Sequence, residues 1–286
     1  LRPNQRKQKI AVAIIHGMGR QKEDFAAELK VRLDESVAGC FKKRGMKPRT
    51  DDFVILPIYW AHIADRIQDE LEIRLELDVL AWKRLRSFVI GYLGDAIAYQ
   101  MPLARNQFLV DSIHLEMKNK LAKLAATCGD CAPLCIISHS LGTVISSEYF
   151  KSVQQARAST GASPLASGRT LALYYTMGSP LPIWALREKD FGFPPDIPSP
   201  GLQRMYPNLV GEWINFYSKY DVLGFPLRPI NDRYRRRVNV DRQIDVGRLF
   251  SRYTPLAHHY YWENKTVVRR MAEGLVRAWI AINGAR

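Results

Sequence analysis

The sequence predicts an α/β protein, a mostly parallel sheet flanked by helices, and three observations carry that expectation. Short, continuous apolar runs recur, beginning with Ile10-Ala11-Val12-Ala13-Ile14-Ile15, and such runs suit strands buried on both faces. Helix-compatible segments alternate with them, which makes successive strands parallel through right-handed crossovers. One run, Leu134-Cys135-Ile136-Ile137, enters a small-x-Ser-x-Gly turn at 138–142, and a helix-compatible stretch follows. A serine at such a strand-to-helix turn takes a strained backbone and needs small residues two places either side, here Ser138 and Gly142.

The elements follow in order. A basic arm, residues 1–9 with Arg2, Arg6, Lys7 and Lys9, precedes the first strand, 10–15, which His16-Gly17-Met18-Gly19 ends. A helix from Glu23 to Ala38 leads through a basic loop to a second buried strand, Phe53 to Tyr59. Residues 61–126 then run without a convincing strand, more than one crossover helix needs. Ala61 to Arg86 is charged and helix-periodic, whereas Ser87 to Leu103 is nearly uncharged. Residues 61–104 are therefore expected to form an inserted helical cap; an apolar cap suits an apolar substrate, although a core helix pair would show the same stripe. A helix from Phe108 to Ala126 precedes the serine-bearing strand, and a helix from Thr143 to Ala156 follows it. After a polar loop, 157–169, comes the strand Leu171 to Thr176, closed by Gly178-Ser179-Pro180. A proline-rich connection leads to the strand Trp213 to Ser218. The arginine-rich segment 228–248 is expected to hold a last strand near Val238 to Val246, and His258-His259 precede a terminal helix, Asn264 to Ile282. Residues 1–286 thus read as one domain, with 10–60 and 105–286 as its core.

Composition bounds the function. Hydrophobic residues make up 47% and charged residues 24%, ordinary globular values, so disorder is expected only in the first nine residues. The net charge of +14 favours acidic partners such as an anionic membrane surface, or serves only to keep a basic surface solvated. Arg233, Arg235, Arg236 and Arg237 make the densest basic cluster, yet no zinc knuckle, RNA-binding motif or helix-turn-helix signature accompanies it, and nucleic acid is not an expected partner. No apolar run is long enough to span a bilayer. The chain opens on Leu1, which leaves a removed signal peptide or anchor open, and the expected location is cytoplasmic or peripheral to a membrane. Cys128, Cys131 and Cys135 cluster, but Cys135 sits inside an apolar strand and no histidine lies at ligand spacing; these and Cys40 are read as buried or free thiols, and no metal is expected. A dinucleotide turn at Gly17 and Gly19 would want a third glycine where Lys22 stands, and no Walker sequence occurs, so no cofactor is expected.

A serine hydroxyl is a poor nucleophile near neutral pH; it needs a base, and the base needs a carboxylate that fixes its tautomer. In an open parallel sheet, residues just past the carboxyl ends of the strands converge. Ser140 stands at one such end. Asp221 follows the Trp213 to Ser218 strand by three residues, whereas Asp196, Asp232 and Asp241 are less anchored to strand ends. His258 and His259 lie in the loop before the last helix.

The motifs H-G-M-G at 16–19, S-H-S-L-G at 138–142, M-G-S-P-L at 177–181, Y-D at 220–221 and H-H-x-Y-W at 258–262, with the chain order Ser, Asp, His, resemble the α/β hydrolase superfamily in its lipase and esterase branch. The resemblance covers nearly the whole chain apart from the basic arm and the 61–104 insertion. It implies the α/β hydrolase fold and hydrolysis of carboxylic esters through an acyl-enzyme, with Ser140 as nucleophile, Asp221 as the orienting carboxylate and a histidine base. Aligning Tyr261 and Trp262 with the His-Ser-x-Tyr-Trp arrangement of related hydrolases makes that base His258; a shift of one residue would make it His259. The resemblance also implies an oxyanion hole of the Met18 and Leu141 backbone N–H groups, each such donor contributing on the order of 3 kcal/mol to lowering the barrier. His16, Gly17, His139 and Ser179 are expected around the substrate, His16 and His139 chiefly as packing and loop-ordering groups. The apolar insertion and basic surface lean toward lipid-like esters. An acyltransferase would use the same triad, and an inactive binding protein could keep the same fold.

Overall fold

The computed structural model describes residues 7–18, 21–75, 104–156, 163–247 and 258–284. Six strands form one all-parallel sheet: β1 (Ile10–Ile15), β2 (Phe53–Ile58), β3 (Leu134–His139), β4 (Leu171–Met177), β5 (Glu212–Tyr217) and β6 (Val240–Gln243), in the order β2-β1-β3-β4-β5-β6. The helices among the described residues are α1 (Ala27–Lys42), α2 (Ala61–Arg74), α3 (Ala104–Cys128), α4 (Leu141–Gln155), α5 (Leu181–Ala185), α6 (Leu202–Met205), α7 (Asp232–Arg237) and α8 (Lys265–Asn283). From β1 the chain steps outward to β2, then crosses back to place β3 on the other side, so Ala11 lies between Val54 and Leu134. At such a reversal the connections leaving the two carboxyl ends diverge, and the crevice between them is where doubly wound sheets put their sites.

Every residue of β1, β3 and β4 is buried, which is why these strands read as unbroken apolar runs rather than alternating ones. One face, with Ile10, Val12 and Ile14, packs against Leu29, Leu33 and Val37 of α1 and Met271, Leu275 and Trp279 of α8. The other, with Ala11, Ala13 and Ile15, packs against Ile113, Met117 and Leu121 of α3 and Val144 and Ile145 of α4. Each large apolar side chain buried this way contributes about 1.5–3 kcal/mol. The sheet ends on β2, which carries Pro57, and on the four-residue β6.

Several boundaries differ from the sequence expectation, each for a local reason. The first helix starts at Ala27 rather than Glu23, because 22–25 close hydrogen-bonded turns, Phe25 N–H to Lys22 O at 3.0 Å and Ala27 N–H to Asp24 O at 2.9 Å. It continues past Ala38 to Lys42 because Cys40 and Phe41 are buried, Phe41 edge-on to Trp279 with ring centroids 5.2 Å apart. Residues 228–248 hold a helix, α7, ahead of a strand shorter than expected; Asn231 Oδ1 caps it by accepting from Arg233 N–H and Tyr234 N–H, each at 3.0 Å. The proline-rich connection contains α5 and α6. Of the expected cap, α2 is described, whereas 76–103 lie outside the described residues. Most of the basic arm also lies outside them; its last part is tied to the end of α8, with Gln8 N–H donating to Asn283 Oδ1 at 2.7 Å. Among the described residues no helix is long and apolar enough to cross a membrane.

Candidate active site

Between the end of β3 and the first residue of α4, Ser140 has φ +53° and ψ −130°. A non-glycine residue there stores strain on the order of 1–3 kcal/mol and persists only where its surroundings hold it. They do so through the backbone. Ser140 N–H donates to Met177 O at 3.0 Å, and Ser140 O accepts from Thr143 N–H at 2.9 Å and from Thr143 Oγ1 at 2.7 Å. Having given its single proton to Ser140, Thr143 Oγ1 accepts from the buried Ser179 Oγ at 2.8 Å. Close approach does the rest: a Cβ on Gly142 would fall 2.4 Å from His16 O, and one on Gly17 would fall 2.4 Å from Ser140 Cβ. Ser138, fully buried, is small enough to serve at the other flank.

Asp221 and His258 arrive from two later connections and meet. His258 Nδ1–H donates to Asp221 Oδ2 at 2.9 Å, while Asp221 Oδ1 accepts from Leu223 N–H at 3.0 Å. The neighbouring His259 is exposed, and the described contacts give it no bond to Asp221. His139 Nε2–H donates to His258 O at 2.7 Å, with the two rings 4.7 Å apart, so the residue before Ser140 also holds the histidine turn. Met177 and Gly178 form a common floor: Met177 O receives the Ser140 amide, and a Cβ on Gly178 would lie 3.0 Å from His258 Cε1. With Nδ1 committed to Asp221, the lone pair of His258 is on Nε2. His258 Nε2 and Ser140 Oγ are both buried without a hydrogen-bond partner among the described residues. Buried polar atoms are ordinarily paired, so each exception asks for a reason; Ser147 Oγ, Thr170 Oγ1 and Trp184 Nε1 are likewise unpaired among the described residues.

Burial alone would push the Asp221 carboxyl upward; the hydrogen bond and charge of His258, the Leu223 amide and the Tyr261 hydroxyl outweigh it and hold it below the ordinary range. His139 is driven well below its ordinary value by burial, with His258 and His259 adding to the effect, and its ring is neutral.

His16 ends β1 with a fixed tautomer. Its Nδ1–H donates to Gly17 O at 2.7 Å, and Nε2 accepts from Trp60 N–H at 3.1 Å. The ring stacks on Trp60 at 4.9 Å, and Trp60 Nε1–H donates to His16 O at 3.1 Å. Burial brings His16 down to about 4, opposed by the Gly17 carbonyl and helped by His62. His16 and Ser179 thus spend their side-chain hydrogen bonds within the protein beside the Ser140 turn, and His139 Nε2 is spent on the His258 turn. Gly17 lies directly against Ser140. Leu141 supplies the first amide of α4, which has no acceptor within the helix, and Met18 follows Gly17 in the adjoining turn. Sequence reasoning missed Thr143, Trp60 and the role of Tyr261, the last noticed only as an alignment anchor. Cys40, Cys128 and Cys135 are buried and Cys131 exposed, all as free thiols; among the described residues no group of three or more His, Cys, Asp or Glu could hold a metal ion.

No protein-family model, curated protein or solved structure matches this chain.

Proposed function

We propose that the protein is a serine hydrolase with the α/β hydrolase architecture, cleaving carboxylic esters through an acyl-enzyme. The observation that carries this reading is the Asp221–His258 hydrogen bond on a turn tied to His139, the residue before a serine held at positive φ, with the serine oxygen and the free imidazole nitrogen both buried and left unpaired among the described residues. Ser140 Oγ attacks the ester carbonyl while His258 Nε2 takes its proton. The tetrahedral oxyanion is held by the Leu141 and Met18 amides, the first strengthened by the N-terminal end of a 15-residue helix. Collapse expels the alcohol, protonated by His258, and leaves Ser140 acylated. Water then attacks with the same general base, releasing the carboxylic acid and restoring the serine. Asp221 holds the imidazole tautomer and stabilises the imidazolium.

Lipid-like esters suit the surroundings best. Ile183, Leu186 and Val222 are exposed on the connections that leave the carboxyl ends of β4 and β5, where the site lies. Residues 87–103 are nearly uncharged, and the net charge of +14 would favour peripheral contact with an anionic membrane.

A fluorophosphonate probe and a panel of p-nitrophenyl esters test the reading. Ser140→Ala should lose probe labelling, and ester turnover should fall roughly 10³-fold or more, with the circular dichroism spectrum unchanged. Labelling that survives in that variant overturns the assignment.

A further inference from the structure

Asp221 has a donor beyond those that orient His258. Its Oδ2 accepts from His258 Nδ1–H and also from the Tyr261 hydroxyl at 2.8 Å. The direction of this second bond is unambiguous. Tyr261 Oη accepts from Ser218 N–H at 3.0 Å, so the single hydroxyl proton is free to point at the carboxylate. Burial pushes the phenol far up, and the charge of Asp221 acts the same way, so near neutral pH the proton stays on the oxygen. Space is closed around the pair: a Cβ on Gly224 would fall 2.5 Å from Asp221 Oδ2 and 2.8 Å from Tyr261 Oη, and one on Gly178 would fall 3.0 Å from Tyr261 Cε2. Tyr261 lies on the turn that carries His258, whereas Ser218 and Asp221 belong to the connection after β5. One hydroxyl therefore ties the two connections on which the acid–base pair depends.

We propose that Tyr261 is a positioning residue of the triad, whose hydroxyl pins Asp221 Oδ2 against His258 and takes up part of that oxygen's charge. This rests on reading Ser140, Asp221 and His258 as a triad. A buried tyrosine filling the core would need only one partner for its hydroxyl, and Ser218 N–H already provides one. Aiming the proton at the oxygen that holds the histidine has a chemical consequence. A carboxylate sharing its charge with a second donor is less basic and stabilises the imidazolium less, so removing that donor would strengthen its hold on a protonated ring. The other titratable groups facing His258 among the described residues are His139 at the end of β3 and His259 on its own turn.

The test is Tyr261→Phe, with 3-fluorotyrosine placed at position 261 as the graded partner, since it keeps the shape and strengthens the donor. Two readouts are followed: the acid limb of kcat/KM for a p-nitrophenyl ester, and the titration of the His258 ring by NMR, which needs no activity. In Tyr261→Phe both should move up by about half a pH unit or more, with kcat lowered and KM little changed; in the fluorotyrosine protein both should move down. If Tyr261→Phe fails to fold, the fluorotyrosine protein decides alone. A melting temperature that falls while the His258 titration stays fixed in every folded variant overturns the proposal, because that is what mere core packing would do. Loss of labelling in Ser140→Ala beside such a fixed titration leaves the hydrolase reading standing. Retained labelling in Ser140→Ala overturns the hydrolase reading, whereas the NMR titration still reports on the tyrosine.

Discussion

Ser140 leaves no room for a side chain at residue 17. A methyl group on Gly17 would sit 2.4 Å from Ser140 Cβ, and both positions are backbone-anchored, so the turn or Ser140 must shift. A displacement near 1 Å at a reacting atom costs roughly 100-fold in rate. Gly17→Ala should therefore lower kcat/KM by about that factor on short and long esters alike; activity within two-fold of the parent would mean that the turn yields without disturbing Ser140. The serine and its small neighbours were legible because a strained strand-to-helix turn admits so few residue types. Tyr261 was not, since its bond to Asp221 joins residues 40 positions apart on two loops whose approach is decided by packing. Its burial and Oδ2 contact had no local signature.

Helix α8 follows the histidine turn, so its start matters to the site. Asn264 Oδ1 caps it, accepting from Thr266 N–H at 2.9 Å and Val267 N–H at 3.2 Å, while Asn264 Nδ2 donates to Asp245 O at 2.8 Å. Asn264→Ala should lower stability by about 1 kcal/mol from the cap, with more from the lost tie to Asp245, as read from urea midpoints. An unchanged midpoint would show that water replaces the cap without penalty. This element was legible to within a residue because its periodic apolar face begins right after a capping residue. Helix α7 was missed although it has the same device at Asn231: four arginines hid the one buried position, Tyr234, that anchors it. The first helix was expected from Glu23, yet the chain is still closing hydrogen-bonded turns there.

For the whole molecule, the two buried neutral histidines make acid the weak side. The folded-state value of His16 is about 4 against about 6.5 unfolded, and that of His139 is also lowered. Between those values the unfolded chain binds protons that the folded chain refuses, so stability falls as pH drops from about 6.5, for His16 by about 3 kcal/mol once pH 4 is reached. Asp221 acts in the same direction at lower pH, a lowered carboxyl whose contribution is fully present above about 4 and is lost only below it. The urea midpoint should thus decline between pH 7 and pH 5, and His16→Gln should flatten the decline; a midpoint constant over that range would contradict the burial argument. The parallel sheet was legible from its apolar runs, which exist because helices cover both faces. Both sides of the sheet end abruptly. Pro57 in β2 lacks an amide proton and is tolerated only where that position faces away from β1. At the opposite margin β6 is four residues long and places Asp241 and Arg242 in its middle. A protein with large apolar side chains exposed, Leu186 and Val222 among them, would invite polymerisation if its strands also offered a long, flat rim to their neighbours; one rim interrupted by proline and another cut short and charged deny any further chain a template to extend.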